Sequence, residues 1–131
     1  MFVTDTHPLI WYWQKPAKLS KKAKAAFDAA ALAQDAIYVP TAVLWEMHFA
    51  LRSGELELAI PFEEWIDRLL AAPGFTAQPL DADTIKIIHG LTFHNDPFDS
   101  AIVAAAISLG LPLITNDSLI HSIKPCKLYW D

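Results

Sequence analysis

Residues 96–117 read DPFDSAIVAAAISLGLPLITND, and the order of signals in that stretch decides the fold. Asp96 followed by Pro97 is a helix start, because an Asp side chain accepts from the free amides of a first turn and proline's fixed φ suits the first helical position. The apolar run that follows predicts a helix through Ile107, stopped by Gly110. Leu111 to Thr115 is then a short apolar strand, with the acid Asp117 just beyond it. A helix that delivers a short, wholly apolar strand is the unit of a parallel sheet covered on both faces. The stretch is not a membrane helix. The apolar run 101–115 is broken by Ser108, Gly110 and Pro112 and is shorter than the roughly 20 residues that a bilayer requires.

The same alternation continues outward. Phe2 to Thr4 is β-prone and runs into Asp5, after which THPLIWYWQ reads as a helical turn or short helix. Ser20 caps a helix through KKAKAAFDAAALAQ, and Ile37 to Val39 forms a second strand ended by Pro40. Thr41 is the predicted cap of AVLWEMHFALRSG, with Gly54 placed to terminate it. FEEWIDRLLAAPG is amphipathic, Phe75 to Gln78 is a weak strand, and Asp81 caps DTIKIIHG. A short helical piece at Ser118 to Ile123 and a strand at Lys127 to Trp130 close the chain. The expectation is one α/β domain over residues 1–131, with a mostly parallel central sheet of four to five short strands and helices on both faces. Such sheets bind ligands at the carboxyl ends of their strands, where Asp5 and Asp117 fall.

Composition narrows the class. The chain has 131 residues, 53% of them hydrophobic and only 19% charged, enough for a single core and unlike a disordered or repetitive protein. Cys126 is the sole cysteine, and MFVTDTHPLIWYW has neither a basic start nor a small-residue cleavage site. A cytoplasmic location without membrane attachment is expected. The net charge of −5 has the wrong sign for holding nucleic acid by bulk electrostatics. Five of the ten Lys and Arg residues, Lys15, Lys18, Lys21, Lys22 and Lys24, nevertheless fall within KPAKLSKKAK. That run is either a solvated helix face or a backbone-contacting patch beside an acidic site.

The acids carry the functional signal. Glu46 has Ala42, Val43, Phe49 and Ala50 as its helical neighbours, so a carboxylate lies on an apolar face, where burial is costly without a cation. The plainer alternatives are that Ala42 and Ala50 face solvent, or that Arg52 or His48 pairs with it. Asp99 repeats the pattern before Ile102, Val103 and Ala106, although Asp96 and Asp99 also suit the first turn of a helix. Asp5 and Asp117 can likewise each be ordinary caps. Four caps need not meet, whereas strand-end and helix-face acids in this fold class can converge at one sheet edge, and clustered like charges call for a cation. Oxygen ligands without Cys or His partners suit Mg²⁺ or Mn²⁺. Without Asp5, Glu46, Asp96, Asp99 and Asp117, the fifteen acids reduce to as many as the ten Lys and Arg. The chemistry expected is phosphoester hydrolysis by one or more hard ions. Thr115 and Ser118 flank the site, as residues that orient a carboxylate or contact phosphate, or as simple caps.

Other chemistries fit less well. His7, His48, His89, His94 and His121 lack zinc spacing, and no HExxH or Cys/His pairing occurs. His7 and His94 lie near acids in sequence and read as substrate contacts or surface residues. A phosphatase built on Asp5 wants a second acid where His7 stands, and no glycine-rich nucleotide loop is present.

The segments VTDTHPLIW, YVPTAVLWEMHFALRSGELEL, FHNDPFDSAIVAAAISLGLPLITND and KLYW, taken in order, resemble the PIN domain family, most closely the VapC-type ribonuclease toxins of bacterial toxin–antitoxin pairs. The resemblance runs from end to end of the chain. It implies a PIN-like fold and a metal-dependent endoribonuclease with Asp5, Glu46, Asp99 and Asp117 as the four acidic ligands. Asp96 then serves as a further ligand, a supporting residue or a cap, and Thr6, His7, Thr115, Asn116 and Ser118 lie around the site. RNA as substrate, a homodimer and a cognate antitoxin are implied as partners, with Trp11, Tyr12, Trp13 and Trp45 suited to such surfaces or to the core. Two positions depart from the pattern: Ser100 and Asn116 stand where similar toxins carry cations. These departures motivate a second expectation, a catalytically weakened PIN-like module that acts by binding protein or RNA.

Overall fold

The computed structural model describes residues 1–92 and 96–131. His94 therefore lies outside the described residues. Among those described, seven α-helices and five strands follow the order β1 (Phe2–Thr4), α1 (Thr6–Gln14), α2 (Lys21–Ala31), β2 (Ile37–Pro40), α3 (Thr41–Ser53), α4 (Phe62–Ala71), β3 (Phe75–Gln78), α5 (Ala82–Gly90), α6 (Pro97–Leu109), β4 (Leu113–Ile114), α7 (Ser118–Ile123) and β5 (Leu128–Tyr129). A single 3-10 turn, Pro16–Lys18, joins α1 to α2.

All five strands pair in parallel, in the order β3-β2-β1-β4-β5. β1 is central: Val3 pairs with Tyr38 of β2 on one side and with Leu113 of β4 on the other. From β1 the chain steps outward through β2 to β3, then returns across the sheet to β4 and continues to β5. Right-handed crossovers in opposite directions put helices on opposite faces, so the expected coverage of both faces follows from this order. The reversal lies between β1 and β4. That is the switch point at which parallel sheets leave a crevice beyond their carboxyl ends.

The sequence signals account for most boundaries. Asp96 Oδ1 accepts from the amides of Phe98 at 2.8 Å and Asp99 at 3.2 Å, and Gly110 ends α6 at φ 65°, a backbone conformation that costs glycine nothing. Ala101 to Ala106 are all buried, as expected of a helix apolar on every side. Ser20 and Asp81 cap α2 and α5 through their side chains. Thr41 does not cap α3 as expected. It is the first residue of that helix, the cap position belongs to Pro40, and the Thr41 hydroxyl accepts from the Leu80 amide at 3.2 Å. Beyond α3, Gly74 passes so close to α2 that a Cβ there would stand 1.8 Å from the carbonyl oxygen of Ala30. The core joins Val3, Leu9, Phe27, Ile37, Val43, Met47, Ile102, Leu113 and Ile120. No described helix is long and apolar enough to cross a membrane.

Candidate active site

Asp5 follows β1 and opens α1. Its Oδ1 accepts from the Thr6 amide at 2.8 Å and its Oδ2 from the Thr115 hydroxyl at 2.7 Å. Only 6% of the residue is exposed. Asp117, past the end of β4, caps α7 by accepting from the Ile120 amide at 2.9 Å. Thr115 joins the two strand ends, because the hydroxyl that donates to Asp5 accepts from the Asp117 amide at 3.1 Å. The Thr115 carbonyl in turn lies 2.7 Å from Nε2 of His121 on α7. Thr115 thus orients a carboxylate and is itself held from two sides.

Glu46 comes to the same edge from α3. Ala42, Val43 and Met47 of that helix are buried, while Glu46 is half-buried and accepts a hydrogen bond from the Thr6 hydroxyl. Thr6 therefore ties Asp5, through its amide, to Glu46, through its hydroxyl. The alternatives for Glu46 do not hold. Ala42 is buried, His48 and Arg52 are exposed, and among the described residues no cation pairs with Glu46.

Electrostatics shows how closely the acids sit. Burial pushes the Asp99 carboxyl up to about 7, with Asp5, Asp96, Asp117 and Glu46 each adding repulsion. Glu46 is raised by burial and by the charges of Asp5 and Asp96, against the Thr6 hydrogen bond and the field of His7. Asp5 is raised because desolvation outweighs its bonds to Thr115 and Thr6, with the Asp117 charge adding. Acids that belong to four separate elements thus share one field. Among the described residues, no three Asp, Glu, His or Cys side chains yet converge as one ion's ligand set. The donor chemistry still fits a hard divalent ion, since every candidate is a carboxylate oxygen and each raised acid would be relieved by positive charge.

Two cavities open on this edge. One of about 250 Å³ is lined by Asp5, His7, Pro8, Trp11, Asn116 and Asp117. The other, of about 440 Å³, borders Thr6, Glu46 and Asp96 among others, and exposed His7 lines both. Asn116 and Ser118 are exposed beside Asp117. Ser100 is buried instead, in the wall of an apolar cavity of about 240 Å³ with Trp45, Ile85 and Phe98, and none of the five acids borders that space. Among the aromatic residues singled out in the sequence, Tyr12 stacks on Phe27 at 4.9 Å, whereas Trp13 and Trp45 are 45% and 54% exposed. Trp11 on the acid-lined cavity is the residue that sequence reasoning assigned elsewhere. Its position one helical turn after His7 was the available signal.

The profile of the PIN domain family matches residues 2–124. The chain belongs to the PIN domain family. It is 30% identical over 121 residues to ribonuclease VapC22 of Mycobacterium tuberculosis, an alignment that covers 90% of this chain and 88% of that protein. Among solved structures, it is similar in fold to a chain of the VapBC2 complex of Rickettsia felis bound to a promoter DNA fragment, with a TM-score of 0.69 at 16% identity over 99% of this chain and 98% of that one. A chain of a toxin–antitoxin complex from Klebsiella pneumoniae gives 0.64 at 18% identity over 98% and 100%. FitAcB of Neisseria gonorrhoeae gives 0.64 at 19% identity over 98% and 96%. At these identities the solved chains share the fold of this one.

Proposed function

We propose that this PIN domain, one domain over residues 1–131, is an endoribonuclease that hydrolyses RNA phosphodiester bonds with Mg²⁺ or Mn²⁺ and is the toxin of a toxin–antitoxin pair. The observation that carries the reading is that Thr6 and Thr115 tie Asp5 to Glu46 and to Asp117 at one sheet edge where two cavities open, with the Asp99 carboxyl pushed upward by burial and by these same acids. Strained carboxylates of this kind are characteristic of sites built to take positive charge. Relatedness to a ribonuclease VapC over nine-tenths of the chain supports RNA as the substrate.

Asp5, Glu46, Asp99 and Asp117 would hold the ion, with Asp96 beside them as the cap of α6. A hard divalent ion supplies an activated water and neutralises the charge that develops on the phosphodiester. The chain's own residues do the positioning. Thr115 fixes the carboxylate plane of Asp5, Thr6 fixes Glu46, and His7, Asn116 and Ser118 offer polar contacts at the rim. The work takes place in the cytoplasm, where the RNA is. A second copy of the chain and a cognate antitoxin are its protein partners, suited by the exposed Trp13, Trp45 and Phe49.

A weakened binding module is the second reading, favoured by exposed, uncharged Asn116 beside Asp117. Mapping of 5′ ends in total RNA incubated with the purified protein and Mn²⁺, beside EDTA and Asp5→Asn controls, separates the two. Discrete new ends absent from both controls support the nuclease. Their absence, together with a melting temperature that Mn²⁺ still raises, supports the module. Light scattering on the purified chain tests the dimer.

A further inference from the structure

We propose that Trp11, Tyr129, Lys18 and Lys22 form a track for single-stranded RNA leading out of the acid site, with Trp11 stacking on the base next to the cleaved bond and the lysines holding the strand's phosphates. This rests on the ribonuclease reading and names the residues that would guide the strand to the acids. Trp11 is half-buried and lines the same cavity of about 250 Å³ as Asp5 and Asp117. The Nζ of Lys18 lies over that indole, 5.5 Å from the ring centroid, and Trp130 meets it edge-on at 6.1 Å. A second pair of the same kind stands on β5: Lys22 Nζ is 5.3 Å from the ring centroid of Tyr129, which also packs on Phe2 at 4.4 Å. The two pairs are linked through Trp130, which touches Trp11 and is the chain neighbour of Tyr129.

Each nucleotide presents a flat π-face and a charge, and a ring whose face is held by a flexible ammonium answers both once the lysine swings from the ring to the phosphate. The lysines are disposed for this. Among the described residues, Lys24 is engaged by Asp28 at 2.8 Å, whereas Lys15, Lys18, Lys21 and Lys22 have no ion pair. Asp131 accepts from the Lys22 amide at 3.0 Å and its carboxyl also feels the Lys22 charge, although among the described residues the two side chains form no ion pair. In a chain of net charge −5, exposed lysines concentrated beside an aromatic wall of the acid cavity form a local route for a polyanion toward a site that would otherwise repel it. A duplex keeps its bases stacked on one another, so the aromatic platform selects a single strand.

The test measures binding of a short fluorescein-labelled oligouridylate by anisotropy, with Ca²⁺ in place of Mn²⁺ to suppress turnover, across a salt series. Trp11→Leu keeps the apolar contact to Trp130 and is expected to weaken binding by about 5- to 150-fold with an unchanged salt slope, while Trp11→Tyr restores most of it. Lys18→Gln combined with Lys22→Gln is expected to lower the slope of log affinity against log salt by about 1.4, at about 0.7 per lost phosphate contact. Lys86→Gln on α5 leaves affinity and slope unchanged. Thermal melts of every variant confirm that the fold is retained. Wild-type affinity in the Trp11 and lysine variants overturns the track and leaves the nuclease intact. Equal dependence of a polyglutamate peptide on these residues also overturns it, in favour of a protein-binding anion site. If wild type does not bind the oligomer, the track falls; Mn²⁺-dependent cleavage of total RNA in the same preparation then tells whether the ribonuclease reading survives with a structured substrate.

Discussion

Asp81 and Asp5 use one local device at two places with opposite results. Asp81 caps α5, accepting from the Thr84 amide at 2.8 Å and the Thr84 hydroxyl at 2.7 Å, and these bonds hold its carboxyl below the ordinary range. Asp5 caps α1, accepting from an amide and a threonine hydroxyl at the same two distances, yet its carboxyl is raised. The donors are alike and the surroundings are not. Asp81 is exposed, whereas Asp5 is buried in the field of Asp117. Being a cap therefore does not keep an acid out of a shared field. Asp5, Asp96 and Asp117 are all caps, and the shared field at the switch point is what sets them apart from Asp81.

The contrast is broken most directly by neutralisation. Asp5→Asn and Asp99→Asn are each expected to reduce Mn²⁺-dependent RNA cleavage by at least about 100-fold, while Asp81→Asn leaves it unchanged, as read from initial rates on one RNA. Equal effects at the three positions would remove the distinction. Thr115→Val comes next. It withdraws the Thr115 hydroxyl that donates to Asp5 Oδ2 and one acceptor from the Asp117 amide. A loss of about 10-fold in rate is expected, with about 1–3 kcal/mol of stability in urea melts.

The pH dependence of the metal-free protein sharpens the comparison. The Asp99 carboxyl titrates at about 7 in the fold against an ordinary 3.8, so the folded state binds this proton more tightly than the unfolded chain. The resulting stabilisation is complete below the ordinary carboxylate value and is lost as pH rises through 7. The melting temperature without metal is therefore expected to fall across that window, and Asp99→Asn to flatten the fall. Added Mn²⁺ reverses the trend, raising the melting temperature more at the alkaline end, where the carboxylates are ionised. The smallest effect is that of Asp81→Ala, which removes a cap and lowers the melting temperature slightly without touching cleavage.

Much of this was legible before the fold was known. Ser20, Asp81, Asp96, Gly54 and Gly110 mark helix ends because capping involves residues only three or four positions apart. Thr41 failed as a cap for the opposite reason: its hydroxyl has a partner in Leu80, 39 residues away, and no local rule sees that distance. Glu46 stood out as an acid among apolar neighbours, but its partner, Thr6, lies 40 residues back. Trp11 read as a partner surface or core residue. Only the meeting of α1 with the loop after β4 brings its ring to a cavity shared with Asp117.

By itself, then, the sequence determined the kinds of element, their caps, the apolar strands and the acids that follow them, since hydrogen bonding and hydrophobic periodicity act within a few residues. The tertiary structure decided the strand order β3-β2-β1-β4-β5, which sets β1 against β4 and brings Asp5 within reach of Thr115, 110 residues away. Desolvation and Coulomb repulsion depend on distance through space and on what fills it. The raised acids of this site are accordingly a property of the packed sheet edge, which the chain acquires only on folding.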